Sequence, residues 1–174
     1  MGVNERSRVA MTEAEIATYI ERSRTMTVAS LGPGGHPHLV GMWYGIVDGQ
    51  ICLETKAKSQ KVANLRRDPR VSCLIEDGDV YEQLRGVSLE GSAVVDEDPD
   101  FLWRVGVSIF ERYLGPYSEE VRPIVELMLA KRLAVRITVE RTRSWDHRKL
   151  GLPSSGGPAG STKAAARGSA ITLD

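Results

Sequence analysis

Three lysines and two hydroxyl side chains fall within the eight residues 54–61, Glu-Thr-Lys-Ala-Lys-Ser-Gln-Lys. The segment follows an apolar run that predicts a strand, and Ser59 is placed to cap a helix that extends to Arg67. A helix N-terminus carries unpaired N–H groups and a partial positive charge, so nearby lysines and hydroxyls favour an anion such as phosphate. The glycine pattern of a P-loop is absent. A solvated basic loop is the other interpretation. Lys61 is expected in the first helical turn with an exposed side chain.

The segment 39–44, Leu-Val-Gly-Met-Trp-Tyr, has the composition of a strand that lines a flat aromatic ligand. Gly41 favours this interpretation because it lets another group approach the backbone closely. Ordinary barrel core is the alternative for these six residues.

Neither a metal site nor a hydrolytic centre is indicated. His36, His38 and His147 lack the spacing of metal ligands, and no Ser-His-Asp order with a nucleophile elbow occurs. No residue is nominated as a general acid or base, so the catalytic residues stay unassigned. A bound cofactor that carries hydride would explain this, because the protein then needs only to bind and orient it.

The composition narrows the class of partner and compartment. The 23 basic and 23 acidic residues cancel, which argues against a nucleic-acid or membrane-surface binder. No apolar run approaches the ~18 residues of a membrane span, and no secretion signal is recognised. Cys52 and Cys73 lie in apolar runs and are expected to be buried as small hydrophobes. We therefore expect a cytoplasmic protein with reduced thiols.

The element pattern predicts a mostly β chain with inserted helices. Thr12 and Glu15 form a capping box for a helix that ends near Ser23. Expected strands are 25–31, 37–47, 51–55, 71–76, 80–95 and 133–139. Further helices are expected at 59–67, from Asp98 to the stop at Gly115-Pro116, and at 118–131. Gly86 and Gly91 are expected at bends or bulges. Antiparallel strands with helices inserted between them suit a closed or split barrel, and a sandwich is the alternative.

Three regions are expected along the chain. Residues 1–10 carry no periodic pattern and are expected to be loose, and residues 11–152 form the folded domain. Residues 153–174 are rich in Ser, Gly, Ala and Pro, and we expect them to be disordered.

Residues 58–72, Lys-Ser-Gln-Lys-Val-Ala-Asn-Leu-Arg-Arg-Asp-Pro-Arg-Val-Ser, resemble the strand-helix-strand signature of the pyridoxamine 5′-phosphate oxidase-like split barrels. Residues 35–38 before the strand ending in Trp43-Tyr44, and the closing segment 144–150, fit the same family. The chain is most similar to the actinobacterial flavin/deazaflavin oxidoreductases of the B group, many of which use coenzyme F420. The resemblance covers residues 11–152 and implies an antiparallel, flavin-reductase-like split β-barrel that forms a homodimer with cofactor sites at the interface.

The resemblance also implies which residues bind the cofactor. The end of the third strand and the following loop would hold it through Glu54, Thr55, Lys56, Lys58, Ser59 and Lys61. The second strand would lie along the ring system through His38, Gly41 and Trp43. Tyr81 would approach from the partner chain, as would the closing segment with Trp145, Arg148 and Lys149. Some relatives carry arginine where Ser59 stands, so the phosphate charge falls to the three lysines.

The leading functional hypothesis is F420H2-dependent hydride transfer to a small conjugated acceptor such as an alkene, a quinone or an imine. The extra lysines favour F420, because its tail carries a phosphate and several carboxylates. An FMN-dependent oxidoreductase on the same fold is one alternative, and a non-catalytic flavin- or haem-binding protein is another. The true pyridoxamine phosphate oxidases carry a substrate motif that His147-Arg148 matches only loosely, so their reaction is not predicted.

Overall fold

The computed structural model describes residues 5–153. The helices are α1 (Glu5–Val9), α2 (Glu13–Arg22), α3 (Gln60–Arg67), α4 (Pro99–Tyr113) and α5 (Arg122–Leu129). The strands are β1 (Met26–Leu31), β2 (Pro37–Met42), β3 (Gly45–Val47), β4 (Gln50–Lys56), β5 (Arg70–Asp77), β6 (Arg85–Asp96) and β7 (Arg132–Asp146). Short 3-10 turns cover Tyr81–Gln83, Glu119–Val121 and His147–Leu150. Apart from Pro153, the expected disordered tail lies outside the described residues.

The seven strands form one antiparallel sheet in the order β2-β1-β5-β6-β7-β4-β3. The sheet curls into a half-barrel with the helices inserted between its strands. The prediction of an antiparallel split barrel is therefore confirmed. Within the described residues, β2 and β3 are the outermost strands, and each has one backbone edge without a strand partner.

The barrel interior follows from the alternation of side chains along the strands. In β1, Met26, Val28 and Ser30 are buried on the inner face, while the residues between them are partly exposed. Cys52 and Cys73 are buried and unpaired, as predicted. Burial raises the pKa of the Cys73 thiol to about 12, so the thiol stays protonated and acts as an apolar side chain.

The ladder between β6 and β7 is the longest in the sheet, and it contains a predicted irregularity. Its register shifts between Glu90 and Gly91, which confirms a bulge at Gly91. A Cβ atom at this position would lie 2.0 Å from the Thr138 carbonyl oxygen, so no side chain fits here. Gly86, the other expected bend, keeps the regular register and pairs with Trp145.

The helix starts follow local signals in the sequence. Thr12 Oγ1 accepts a hydrogen bond from the Glu15 amide, and the Glu15 carboxylate accepts one from the Thr12 amide. Ser59 caps α3, and Asp98 caps α4 directly before Pro99. The capping predictions are confirmed because each depends on residues only two or three positions apart.

Two predicted strands have different bounds. The strand expected over 37–47 breaks after Met42, because Tyr44 buries its ring completely and its amide donates to Tyr113 Oη at 3.1 Å. The strand expected from residue 80 begins only at Arg85. The chain before it folds back on itself so closely that a Cβ at Gly78 would lie 2.5 Å from the Gln83 carbonyl oxygen.

The helical predictions also need correction. The helix expected from residue 118 becomes regular only at Arg122, because Pro123 lacks an N–H and is tolerated in the first turn alone. Its buried face carries Val125 and Leu129, whereas Ile124 and Leu127 of the expected stripe are exposed. No described helix is long and apolar enough to cross a membrane.

Both ends of the domain are more regular than expected. Residues 5–9 form the short helix α1, where the sequence carries no periodic pattern, and this helix packs near the turn His147–Leu150. The last strand, expected over 133–139, continues to Asp146 along β6. The polar residues after Val139 give no buried face, so the periodic pattern ends before the strand does.

Candidate cofactor-binding site

Three of the predicted site residues form a hydrogen-bonded group between the end of β4 and the start of α3. Lys61 Nζ donates to Thr55 Oγ1 at 3.0 Å, and Thr55 Oγ1 lies 3.3 Å from Ser59 Oγ. Ser59 also caps α3 by accepting from the Val62 amide. The two hydroxyls and the ammonium therefore lie together at a helix N-terminus, as the sequence predicted.

The expectation that Lys61 is exposed is wrong, since only 6% of its surface is accessible. The buried face of α3 consists of Lys61, Val62, Asn64 and Leu65. Lys61 precedes Leu65 by one helical turn, so it lies on the face that packs against the barrel. That spacing was visible in the sequence, but the positive charge favoured an exposed position.

Glu54 adds a carboxylate next to this group and brings in Arg132, which the sequence analysis missed. Arg132 Nη1 lies 2.7 Å from Glu54 Oε2 in an ion pair whose geometry is not that of a hydrogen bond. Burial raises the pKa of Glu54, although the Arg132 charge opposes this. Burial also lowers the pKa of Lys61, opposed by the charge of Glu54. Two cations thus share one carboxylate in a half-buried place.

The other two lysines of the segment point to solvent. Lys56 and Lys58 are exposed, and neither forms an ion pair with a described residue. A tight turn brings them together, in which the Ser59 amide donates to the Lys56 carbonyl oxygen at 2.9 Å. The segment therefore combines one buried cation with two exposed ones.

The β2 residues expected along the ring do not share one face. His38 lies on the inner side beside Ser30, its partner in β1, and His38 Nδ1 is buried without a hydrogen-bond partner. Gly41 lies on the outer side and is exposed. Trp43 follows the strand, is 47% exposed and stacks on Tyr113 with ring centroids 4.4 Å apart.

The free edge of β2 presents backbone groups near Gly41. The Gly32 amide donates to the His36 carbonyl oxygen at 2.9 Å, which makes these two residues a hydrogen-bonded pair across the turn. Because such pairs alternate along an antiparallel ladder, His38, Val40 and Met42 bond to β1. Leu39 and Gly41 therefore turn their N–H and C=O groups towards the open edge.

The residues expected from the partner chain form a second group. Tyr81 is 60% exposed and its ring lies 4.5 Å from that of His147. Trp145 packs on the backbone opposite, so that a Cβ at Gly86 would lie 2.4 Å from Trp145 Cζ2. This group lies at the end of β7, next to the turn His147–Leu150.

Arg148 and Lys149 are both engaged within their own chain. Arg148 forms an ion pair with Asp146, with Nη2 2.5 Å from Oδ2. Lys149 Nζ donates to the Ala10 carbonyl oxygen at 2.8 Å and to Glu15 Oε2 at 2.6 Å. Both contacts hold the closing turn of the domain, and neither side chain is free of partners within its own chain.

The two predicted groups do not meet within one chain. Lys56 pairs with Arg132 at the start of β7, whereas Trp145 lies thirteen residues further along the same strand. At ~3.3 Å per residue, this corresponds to roughly 43 Å of extended strand. One chain alone therefore holds the lysine segment and the Tyr81–Trp145 group at opposite ends of β7.

An open groove lies between these two ends. β7 pairs with β4 from Arg132 to Arg136 and no further. Residues 138–143 are exposed although they lie on a central strand of the sheet. The groove between this part of β7, α2 and α4 has a volume of about 930 Å³. Its apolar lining includes Ile16, Ile20, Ile46, Leu89, Ile137 and Val139. Within residues 5–153, no three His, Cys, Asp or Glu side chains are placed to hold a metal ion.

The curled antiparallel half-barrel with inserted helices defines the class of split-barrel proteins. The family model of pyridoxamine 5′-phosphate oxidase matches residues 12–146, and the chain belongs to that family. No curated protein matches the sequence.

Several solved structures share the fold. The conserved hypothetical protein Rv2991 from Mycobacterium tuberculosis is 60% identical, covering 89% of this chain and 98% of its own, with a TM-score of 0.84. An F420 reductase is 23% identical, covering 72% of this chain and 93% of its own, with a TM-score of 0.53. HutZ, the haem storage protein from Vibrio cholerae, is 17% identical, covering 74% of this chain and 90% of its own, with a TM-score of 0.59. The last two likenesses show the fold alone.

Proposed function

We propose that the protein is an oxidoreductase that binds coenzyme F420 as a homodimer and uses F420H2 to reduce a small conjugated organic acceptor. In this proposal Lys56, Lys58 and Lys61 hold the anionic tail of the cofactor. The edge of β2 lies beside its ring, and the partner's copies of Tyr81 and Trp145 complete the site.

The observation that carries the proposal is the unbalanced charge at the start of α3. Lys61 and Arg132 supply two positive charges, and Glu54 supplies one negative charge. A buried charge without a counter-ion is costly, and the lowered pKa of Lys61 reflects that cost. A bound phosphate would supply the missing negative charge and would accept hydrogen bonds from the neighbouring hydroxyls.

The number of cations favours F420 over FMN. One phosphate group is met by Lys61 with the hydroxyls of Thr55 and Ser59, which leaves Lys56 and Lys58 exposed without a counter-ion. The carboxylates of the F420 tail would occupy these two lysines, whereas FMN has no group for them. FMN stays the alternative cofactor, because its phosphate fits the same buried lysine.

The open edge of β2 supports the position of the ring. A Cβ at Gly41 would have its nearest neighbour, Thr25 Cγ2, at 3.7 Å, so the packing of the protein itself does not require a glycine there. The missing side chain instead leaves room for a group from outside to reach the free N–H and C=O groups of the edge. His38 Nδ1, buried and unpartnered on the inner face, adds a polar atom beside Ser30, whose hydroxyl is hydrogen-bonded to Asn64 of α3.

The homodimer is supported by what one chain leaves open. The groove beside β7 is too large and too apolar to remain in water without cost, and a second copy would cover it. A twofold arrangement would also bring the lysine segment of one chain near the Tyr81–Trp145 group of the other. Two equivalent sites per dimer would follow.

The division of chemical work is then simple. Bound F420H2 would supply the hydride equivalent, so the chain needs to bind and orient the cofactor and to admit an acceptor. Conjugated alkenes, quinones and imines are suitable acceptors. We assign no residue of the chain as a proton donor.

A spectroscopic titration of the full-length protein with F420, FMN and haemin tests the proposal. We expect a colourless protein as purified that quenches F420 fluorescence on binding and holds F420 more tightly than FMN. A yellow protein that retains FMN would show that the cofactor is FMN rather than F420, and the proposed enzyme class would stand. A stable haem spectrum without F420 or FMN binding would contradict the proposed oxidoreductase and support a haem-binding protein on the same fold.

A further inference from the structure

A cavity of about 370 Å³ lies where α1, the turn Tyr81–Gln83 and the turn His147–Leu150 meet. Its walls have three kinds of chemistry: the cations Arg6 and Arg8, the rings of Tyr81 and His147, and aliphatic side chains that include Val9 and Leu150. Of these residues only Tyr81 has a role predicted from the sequence, and no helix was expected at residues 5–9. The cavity is a separate place from the lysine segment, which lies at the other end of β7.

The cations of this cavity have no counter-ion among the described side chains. Arg6 and Arg8 are exposed, and neither is ion-paired with any residue between 6 and 153. No carboxylate belongs to the described lining of the cavity. A guanidinium offers a planar fork of N–H donors that matches a carboxylate, so two of them at one rim favour an organic acid.

The orientation of His147 adds a further polar atom. Its Nδ1 lies 2.9 Å from the Tyr81 carbonyl oxygen, which can only accept, so Nδ1 carries the proton and donates. In the neutral imidazole this leaves Nε2 as an acceptor. The same bond fixes the imidazole beside the Tyr81 ring, whose centroid is 4.5 Å away.

The remaining surface suits a flat apolar body. The Tyr81 ring is 60% exposed, and the aliphatic side chains of α1 and the closing turn face the same space. An aromatic face next to aliphatic walls binds planar rings through apolar contact and stacking. A volume of 370 Å³ holds a one- or two-ring molecule.

We propose that this cavity binds a small planar aromatic carboxylate, with Arg6 and Arg8 on the carboxylate and Tyr81 on the ring. Tyr81 also belongs to the group that would approach the cofactor from the partner chain. The binding of this acid does not rest on the proposed function.

The test uses the full-length protein without cofactor and two matched probes, 2-naphthoate and its uncharged counterpart 2-naphthamide. Isothermal titration is expected to show naphthoate binding about tenfold more tightly than the amide, the contribution of a charge-assisted contact at an exposed site. The double variant Arg6→Gln/Arg8→Gln should lower the affinity for naphthoate to that for the amide. Arg22→Gln, which removes an exposed cation of α2, is the control and should bind both probes as the parent does.

Two results would overturn the inference: equal affinities of the parent for the two probes, or unchanged naphthoate binding in the double variant. A titration of the double variant with F420 separates this inference from the proposed function. Retained F420 binding with lost naphthoate binding supports both. Failure of the parent to bind F420 while it still discriminates between the probes contradicts the proposed function alone.

Discussion

At the scale of single residues, the ammonium group of Lys61 has an unusual environment. It is almost fully buried, and its hydrogen-bond partner is the Thr55 hydroxyl rather than a carboxylate. Its charge is balanced only through Glu54, which is already ion-paired with Arg132. The affinity for an anion and the stability of the empty protein therefore place opposite demands on this side chain.

Replacing Lys61 with methionine separates these two demands. Because Lys61→Met removes a buried charge and keeps the volume, the melting temperature of the cofactor-free protein should stay the same or rise. The dissociation constant for F420 should rise roughly ten- to a hundredfold, since a charge-assisted contact contributes about 1.5–3 kcal/mol. Differential scanning fluorimetry and F420 titration measure the two effects, with Arg22→Met as the exposed control. A much lower melting temperature with unchanged affinity would make Lys61 a structural residue only.

The lowered pKa of Lys61 predicts how the stability of the empty protein changes with pH. Burial moves this pKa below 10.5 in the folded chain, whereas in the unfolded chain Lys61 has the ordinary pKa of a lysine. The unfolded state therefore binds more protons in the window between the two values, so stability rises with pH through that window. Other buried groups oppose this rise: burial raises the pKa of Cys52 to about 11 and that of Cys73 to about 12, which counts above about pH 9, and it raises the pKa of Tyr19 and of Tyr44 to about 12, which counts above about pH 10. Because these groups contribute equally to both proteins, the melting temperature of the parent should rise relative to that of Lys61→Met as the pH approaches 10.5 from neutral.

Cofactor affinity should change in the opposite direction over the same range. Lys61 attracts an anion only when it is protonated, so F420 affinity should fall as the pH rises through its lowered pKa. The fall is limited to about tenfold per pH unit, because one proton is coupled to binding. The F420 affinity of Lys61→Met should not change with pH over this range. An equally constant affinity in the parent would show that Lys61 does not bind the cofactor.

At the scale of elements, the bulge in β6 fixes the register of the longest ladder. Gly91→Ala would place a Cβ against the Thr138 backbone, which cannot move without breaking the ladder. We expect a loss of about 3 kcal/mol and a fall in melting temperature of roughly 6–12 °C. Gly34→Ala, in a turn with no atom within 4 Å of the added Cβ, is the matched control and should melt like the parent. Equal melting temperatures for both variants would show that the bulge relaxes freely.

At the edge of β2, a glycine substitution is expected to change cofactor affinity rather than stability. Gly41→Ala meets no atom closer than 3.7 Å, and it reduces the freedom of the unfolded chain, so the melting temperature should equal or slightly exceed that of the parent. F420 binding should weaken, because the added methyl group occupies the side from which the ring would approach the strand. Unchanged F420 affinity would show that the ring does not lie beside this edge.

The elements that the sequence predicted correctly depend on near neighbours. The capping box at the start of α2 is an example, because Thr12 and Glu15 lie only three positions apart. The break after β2 was missed because it depends on a hydrogen bond from Tyr44 to Tyr113, 69 residues away. The buried face of α5 was missed for the same reason, since Leu129 packs against Gly106 of α4. In the candidate site, local spacing found Thr55, Ser59 and Lys61, whereas Arg132 joins through strand pairing.

At the scale of the whole molecule, the lysine segment and the Tyr81–Trp145 group lie at opposite ends of β7. A site that uses both groups therefore needs one group from each of two chains. Lys61→Met should damage the lysine segment, and Tyr81→Leu should damage the group at the other end of β7. Unfolding and refolding the two variants together would form mixed dimers in which one site carries both changes and the other carries neither. Random pairing makes half of the dimers mixed, so about a quarter of the parent's F420 sites should return.

Light scattering during size-exclusion chromatography provides the independent control for this experiment. The parent and both variants should elute as dimers. A monomer at micromolar concentration, or no recovery of F420 binding on mixing, would contradict a site shared between chains.

The contacts of Lys149 with Ala10 and Glu15 have a consequence for synthesis on the ribosome. The Met11 amide also donates to Ser144 Oγ at 3.0 Å, so α2 is anchored to residues more than 130 positions later in the chain. The first helices emerge from the exit tunnel early, but they cannot dock until nearly the whole domain has been made. During that interval the apolar side of α2, with Ile16 and Ile20, has no barrel to cover it. The nascent chain is therefore a natural client for chaperones until the end of β7 is released, and the closure of the domain comes after translation of its last strand.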